Sequence, residues 1–452
     1  MKLPIVLVLV LVLEPAFADD PSAAETRSAL ARSTSFFRSV STNGGYLWRY
    51  SEFLTERWGE KKATESQIWV QPPGTPTVGA AFLRAYEVTK DKQYLDAAVA
   101  AAEALAAGQL ESGGWDYLID FAPGAKPSNI TTFDDNTTQS ALRFLMAVAQ
   151  YSISPRLHHS IEVGLAGLLR AQYPNGAWPQ RYDGKTRDTK DFPILKATIP
   201  QNWSRDWPNA KYHAFYTFND NTIRDCILTV LDAHRRYGKQ EHLDAAKRAG
   251  DFILLAQLPT PQSGWAQQYD FAMQPAWARK FEPPAVSASE SSGIIRTLVD
   301  LYLATGDEKY LAPIPSAIDW LKHSEIAPKT WARFYEVGSN KPLYFTKDYK
   351  LTHNDDDLPT HYSFKSSYGV QSTIGYYEEV KQLGHTAYLE KQKPNPLTAQ
   401  GKEKRRAALA PRIRAIITTL DEKGRWLTNN RIESKAFVQN INLLCDYLEV
   451  AE

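Results

Sequence analysis

The chain has 452 residues, with Lys+Arg 52 against Asp+Glu 51 and a formal net charge of +1. So even a balance offers no electrostatic purchase on nucleic acid, and no apolar stretch reaches the about 20 residues that a membrane span needs. The unusual quantity is aromatic: 12 Trp and 23 Tyr, whose flat apolar faces and polar tips suit sugar rings as well as a large helical core.

At the N-terminus, Lys2 precedes an apolar run from Ile5 to Leu13 and the small-residue ending Ala16-Phe17-Ala18, before Asp19 and Asp20. This is the layout of a cleavable secretory signal over residues 1–18, and it predicts a product in the periplasm or the medium. Residues 19–74 read as an N-terminal extension carrying a Gly-aromatic turn, Gly44-Gly45-Tyr46-Leu47-Trp48. That turn is echoed at Gly113-Gly114-Trp115-Asp116-Tyr117, at Gly176-Ala177-Trp178-Pro179-Gln180-Arg181-Tyr182, at Gly264-Trp265-Ala266 and, in decayed form, at Gly424-Arg425-Trp426. Between the turns, apolar spacing predicts helices over Thr77–Val88, Tyr94–Ala106, Thr138–Tyr151, Ser160–Ala171, Thr222–Tyr237, Leu243–Leu255, Gly293–Ala304, Tyr310–Leu321, Tyr368–Leu383 and Ile432–Val450. Short polar links such as Thr89-Lys90-Asp91-Lys92 make many of these antiparallel pairs. One pair cannot bury its apolar stripe alone, so the pairs must stack. The expected fold is all-α, with the Gly-aromatic loops gathered on one face.

Three segments break this rhythm. Lys185–Tyr212 is Pro-rich, Lys341–Lys365 is a polar insert, and Gln392–Arg406 reads as a charged, solvated linker. Cys226 and Cys445 both lie in apolar helical stretches and read either as two buried thiols or as a long-range disulfide.

The sharpest local signal is a second repeat, Thr132-Phe133-Asp134-Asp135-Asn136-Thr137 against Thr217-Phe218-Asn219-Asp220-Asn221-Thr222. Each copy opens a helix, where a single Asp or Asn would serve as a cap. Three in a row, at equivalent points of the repeat, instead suit a hard cation such as Ca²⁺, which wants clustered oxygen ligands. Farther on, Ala278-Arg279-Lys280-Phe281-Glu282-Pro283-Pro284 places two cations among aromatics and prolines. A guanidinium there either meets a substrate carboxylate in a two-bond fork or pairs with Glu282.

Together, Asn175-Gly176-Ala177-Trp178-Pro179-Gln180, Thr217-Phe218-Asn219-Asp220, Ala278 to Pro284, Ser289-Glu290-Ser291 and Ala332-Arg333-Phe334-Tyr335-Glu336 resemble, in that order, the pectic acid lyases of polysaccharide lyase family ten. The resemblance runs from about Thr75 to Tyr377. It implies a toroid of paired helices over residues 75–452 and Ca²⁺-assisted β-elimination on polygalacturonate, by a protein expected to act as a monomer without membrane or nucleic-acid partners. It also implies Arg279 as the base, Asp134 and Asp220 at the metal, joined there by Asp135, which this chain gains over the family pattern, and Lys341, Lys347, Arg333 and Arg181 against the substrate; the repeated turns add Trp178 and Trp265 as candidate walls of the cleft. The chain departs from the family at Asn221, where the family has an aspartate, and at Lys341 and Lys347, which replace arginines and lose the planar fork. Two other classes stay open on sequence: a glycoside hydrolase on a similar toroid, with Asp134 and Asp220 as the acid–base pair, and a non-catalytic binder of acidic glycans.

Overall fold

A computed structural model of the chain describes residues 20–452; the expected signal segment, residues 1–18, lies outside the described residues. The helices are α1 (Ala23–Ser39), α2 (Thr75–Thr89), α3 (Lys92–Ala107), α4 (Thr137–Val148), α5 (Pro155–Ala171), α6 (Thr222–Tyr237), α7 (Gln240–Ala256), α8 (Ala288–Thr305), α9 (Ile314–His323), α10 (Val370–Leu383), α11 (His385–Gln392), α12 (Ala399–Thr419) and α13 (Ser434–Ala451). Tight links join successive helices because each pairs a stop with a start. Lys90 in the left-handed region ends α2, and the Asp91 side chain then accepts from the Gln93 N–H to begin α3. Gly306 does the same at the end of α8.

The helices form an α/α toroid. An inner layer runs α13–α2–α4–α6–α8–α10 through successive neighbours, and α3, α5, α7 and α12 pack behind it against α2, α4, α6 and α13. Each outer helix is followed by an aromatic turn and then by an inner helix. The turn tryptophans explain the repeat. The indole N–H groups of Trp115, Trp178, Trp265, Trp331 and Trp426 donate to the carbonyls of Leu105, Leu168, Ile253, Leu321 and Ile416, at 2.7–2.9 Å. Each acceptor lies in the last turn of the preceding outer helix, where carbonyls have no partner within the helix. The turn glycine then nests against the next outer helix: Gly176 has φ +96°, and a Cβ there would lie 2.0 Å from the Arg248 carbonyl of α7.

Short strands stitch the units together on the loop face. The strand before an inner helix pairs with the strand after the next turn: Gln67–Trp69 with Leu118–Asp120, Thr131–Thr132 with Arg181–Tyr182, Tyr216–Thr217 with Gln268–Tyr269, and Ala285–Ser287 with Phe334–Glu336. Arg431–Glu433, before α13, pairs with Arg49–Ser51, so the two ends of the chain are joined by the same device.

Two expectations are corrected here. Gln392–Arg406 is not simply a linker: its second half opens α12, which packs on α13 and α1 through a thin stripe of Ala410, Ile413 and Ile416. The insert at 341–365 is partly regular, since Pro342–Phe345 joins a five-stranded sheet with Phe334–Glu336 and Leu351–Thr352. Cys226 and Cys445 are two separate buried thiols, with burial pushing Cys445 up to about 12. Among the described residues no helix is long and apolar enough to cross a membrane.

Candidate active site

The strand ladder brings the singled-out motifs to the N-terminal ends of α4, α6 and α8. Asp134–Asn136 and Asn219–Asn221 form equivalent single turns leading into α4 and α6, and the two turns pack together. In each, two successive residues occupy the left-handed region: Asp135 and Asn136 at φ +49° and +58°, Asp220 and Asn221 at +47° and +61°. Asp and Asn tolerate this conformation better than other residues with a Cβ. Neither Asn136 nor Asn221, which hold the cap positions of α4 and α6, makes a side-chain cap bond, so capping does not account for the motif. Thr137 and Thr222 hydroxyls close the turns by donating to the Asp134 and Asn219 carbonyls.

One oxygen from each of Asp134, Asp135 and Asp220 falls within 4.8 Å of the others. Burial and the Asp220 charge push the Asp134 carboxyl up to about 6; burial, Asp134 and Asp220 push Asp135 up to about 7; burial also raises Asp220 against the pull of Arg279. Neighbours hold the carboxylates in place without neutralising them. Tyr117 Oη donates to Asp134 Oδ2 at 2.8 Å, and Gln71 Nε2 donates to Asp135 Oδ2 at 2.7 Å. The other Asp134 oxygen, Oδ1, is buried and accepts no protein hydrogen bond, as is Asn219 Oδ1 at the equivalent position of the second turn. Three converging carboxylates with an orphaned buried oxygen fit a hard divalent cation, which takes oxygen ligands and offsets their mutual repulsion.

Arg279 faces this cluster from the loop before α8. Its Nη2 lies 3.8 Å from Asp220 Oδ2, while Nε and Nη2 form a two-bond fork with Glu282 at 2.8 and 2.6 Å. Of the two sequence readings of Arg279, the pairing with Glu282 is the one seen, and it occupies the two-bond fork. Burial works against its charge, but the Glu282 hydrogen bonds and negative charge outweigh that, and the guanidinium is held charged more firmly than a free arginine. Arg333 enters beside it, because Phe334–Glu336 pairs with the strand before α8. Arg333 binds Glu290 at 2.8 Å and lines a cavity of about 160 Å³ with Asp220, Asn221, Glu290 and Arg224. Arg181 comes in by the equivalent pairing, opposite Thr132, and stacks 5.9 Å from the Tyr117 ring.

The remaining predicted residues lie elsewhere. Trp178 and Trp265 have no exposed surface and spend their N–H groups on helix carbonyls, so they are core residues and not walls of a cleft. Lys347 is exposed and pairs with Asp357 at 3.0 Å, within the insert; among the described residues neither it nor Lys341 forms an ion pair with the acidic cluster. The sequence reading missed Tyr117, Gln71 and Tyr362. Tyr362 comes from the insert, donates to Glu282 at 3.0 Å, and packs its ring 5.8 Å from the Arg279 guanidinium and 4.5 Å from that of Arg333. Its only signal in the sequence is an aromatic residue in a polar insert.

The site therefore gathers three carboxylates and three arginines on the loop face of a helical toroid. Residues 119–330 match the model of the family described as Pectic acid lyase. That segment, which holds Asp134, Asp135, Asp220 and Arg279, is thus a pectic acid lyase family-model domain. Among solved structures it is similar to a family 10 polysaccharide lyase from Cellvibrio cellulosa in complex with trigalacturonic acid, at 19% identity and TM-score 0.47, covering 68% of this chain and 98% of that one. It is also similar to cellobiose 2-epimerase from Spirochaeta thermophila, at 14% identity and TM-score 0.48, covering 95% and 97%. No curated protein matches the sequence.

Proposed function

We propose that the protein is a pectate lyase that cleaves polygalacturonate by β-elimination outside the cytoplasm, after loss of residues 1–18. The observation that carries this is the placement of Arg279, 3.8 Å from Asp220, at the edge of the Asp134–Asp135–Asp220 cluster inside a pectic acid lyase family domain.

In this reading C5–H of a uronate residue loses its proton to Arg279, the electron pair forms the C4–C5 double bond, and the O4 substituent departs and takes a proton from water. Ca²⁺ held by the three aspartates would draw charge from the uronate carboxylate, acidify C5–H and add positive charge that favours neutral Arg279. The chain's own groups supply the rest. Glu282 fixes the Arg279 fork in orientation through two hydrogen bonds and a third to the Arg279 backbone N–H, at 3.0 Å. The same pairing keeps the resting guanidinium charged, so Arg279 must release a proton to water before it takes one from C5, and that proton neutralises the hydroxide left when water protonates O4. Arg333 and Arg181, which flank the cluster, would receive the uronate carboxylates on either side of the reacting residue.

The test is incubation of the mature protein with polygalacturonate, with and without a calcium chelator, following the ultraviolet absorbance of the unsaturated product. Absorbance that the chelator abolishes is expected; reducing ends without absorbance would point to hydrolysis. Arg279→Ala is expected to lose about 10²–10⁴ in turnover, the range of a general base, while still binding the polymer. Near-normal turnover in that variant overturns the assignment of the base.

A further inference from the structure

Outside the acidic cluster, the two segments that interrupt the helical repeat come together. The Pro-rich excursion brings Arg205 and Trp207, and the Pro342–Thr352 hairpin brings Tyr349 and Lys350, to opposite sides of a groove of about 550 Å³ that Lys280 and Trp277 floor. This lies in the size range of ligand sites, about 300–1,000 Å³. The excursion is pinned to the loop that carries Arg279, since Trp207 Nε1 donates to the Ala278 carbonyl and Trp277 Nε1 donates to the Ser204 carbonyl, each at 2.8 Å. The hairpin packs on the same loop through the Trp277–Phe345 and Phe281–Tyr349 rings, 6.1 and 5.7 Å apart. The groove is therefore rigidly continuous with the active-site loop.

Its chemistry is aromatic and net cationic. Trp207 is 37% exposed. Lys280 lies 3.6 Å above the Tyr349 ring, and Lys350 is an exposed ammonium; neither forms an ion pair among the described residues. Of the nearby acids, Glu336 is taken by Arg205, which leaves Asp206 against Lys280 and Lys350. An aromatic face beside unpaired cations matches a sugar ring bearing a carboxylate.

We propose that this groove is a distal subsite that holds a further uronate residue of the polymer, remote from the bond being broken. The inference rests on the pectate lyase reading for its substrate, and it makes the enzyme's efficiency depend on chain length. The measurement is kcat and KM on trigalacturonate and on polygalacturonate for the wild-type protein, Lys350→Glu and Tyr349→Ala, with melting temperature as the check on folding. Lys350 is exposed, so Lys350→Glu keeps the fold should Tyr349→Ala lose it. Both variants are expected to raise KM for the polymer about tenfold while kcat/KM on the trimer stays within about twofold. Equal losses on both substrates, or no change on either, overturn the proposal. If the wild-type protein shows no lyase activity, native gels cast with polygalacturonate read the groove alone. Retardation of wild type that Lys350→Glu abolishes supports the subsite and ends the lyase reading, and equal migration ends the subsite.

Discussion

Asp135 shows how the site trades stability for function. Its raised carboxyl means that the folded chain holds a proton there which the unfolded chain has already released. Between the ordinary aspartate value, about 3.9, and about 7, the native state binds more protons than the unfolded state. Stability therefore falls as pH rises through that window and stays lower above it. The nominal shift overstates the cost, because the cluster is partly open to solvent and screened; about 1 kcal/mol is a realistic share for Asp135. Asp135→Asn, in chelator, is accordingly expected to melt a few degrees above wild type at pH 8 and level with it at pH 4. Saturating Ca²⁺ is expected to reverse the order at pH 8, since the wild type then gains binding energy that the variant lacks. Thermal melts in the four conditions check this, and a variant that is no more stable at pH 8 without metal would show that the carboxylates are not in conflict. The three-acid cluster was legible in the sequence as a doubled motif. The same alignment already set Asp135, and not Asp134, opposite Asp220; what it did not reveal is that this pair takes the left-handed turn, because a run of adjacent Asp and Asn does not say which of them adopts it.

At the scale of the element, the helices with broad apolar stripes were visible from spacing, and Thr222–Tyr237 was read to the residue. α1 and α12 were not: in α1 the buried stripe mixes Ala29, Leu30 and Phe37 with the polar Thr26, Ser33 and Thr34, and in α12 it is only Ala410, Ile413 and Ile416. The sixth aromatic turn was missed for a different reason. At Lys329-Thr330-Trp331 the left-handed position is held by Lys329, φ +55°, so the glycine that marks the other turns is absent while the tryptophan still caps its helix. This separates the two parts of the motif: the conformation tolerates a substitute, and the indole hydrogen bond persists. Trp331→Phe removes that donor and leaves the Leu321 carbonyl with only the Ser324 N–H, at 3.2 Å, at an expected cost of about 1 kcal/mol. Urea denaturation should show the loss while activity per folded molecule stays within about twofold, because Trp331 is remote from the reacting groups in its bonding. A variant as stable as wild type would mean that the tryptophans are mere filling of the core.

Over the whole molecule, the ladder of strand pairs that stitches unit to unit has one exception among the described residues. Lys365–Ser366, before α10, turns back to pair with Trp331–Ala332, and Leu427–Thr428 pairs with its own neighbour Arg431–Ile432, so the link from the α10 unit to the last one is replaced by local hairpins. The toroid therefore depends on the neighbouring junction, where the two ends of the chain meet. There Arg49–Ser51 pairs with Arg431–Glu433, Ser434 binds the Leu47 carbonyl, Arg84 binds Glu449 in a fork, and the Gly424 turn seats on α1. Gly424 has φ +81°, and a Cβ there would lie 2.5 Å from the Arg32 carbonyl. Gly424→Ala should therefore pay both for the left-handed backbone, about 1 kcal/mol, and for a collision with the α1 backbone that cannot move aside without parting the ends. Gly338 is the control, since it has φ +86° but nothing within 4 Å of a built Cβ. Gly338→Ala is expected to lower the midpoint of unfolding slightly, and Gly424→Ala by at least twice as much, with protease cleavage appearing first in the segment before α1 or after α12. Equal losses in the two variants would mean that the backbone conformation alone sets the cost and that the junction of the termini does not hold the ring.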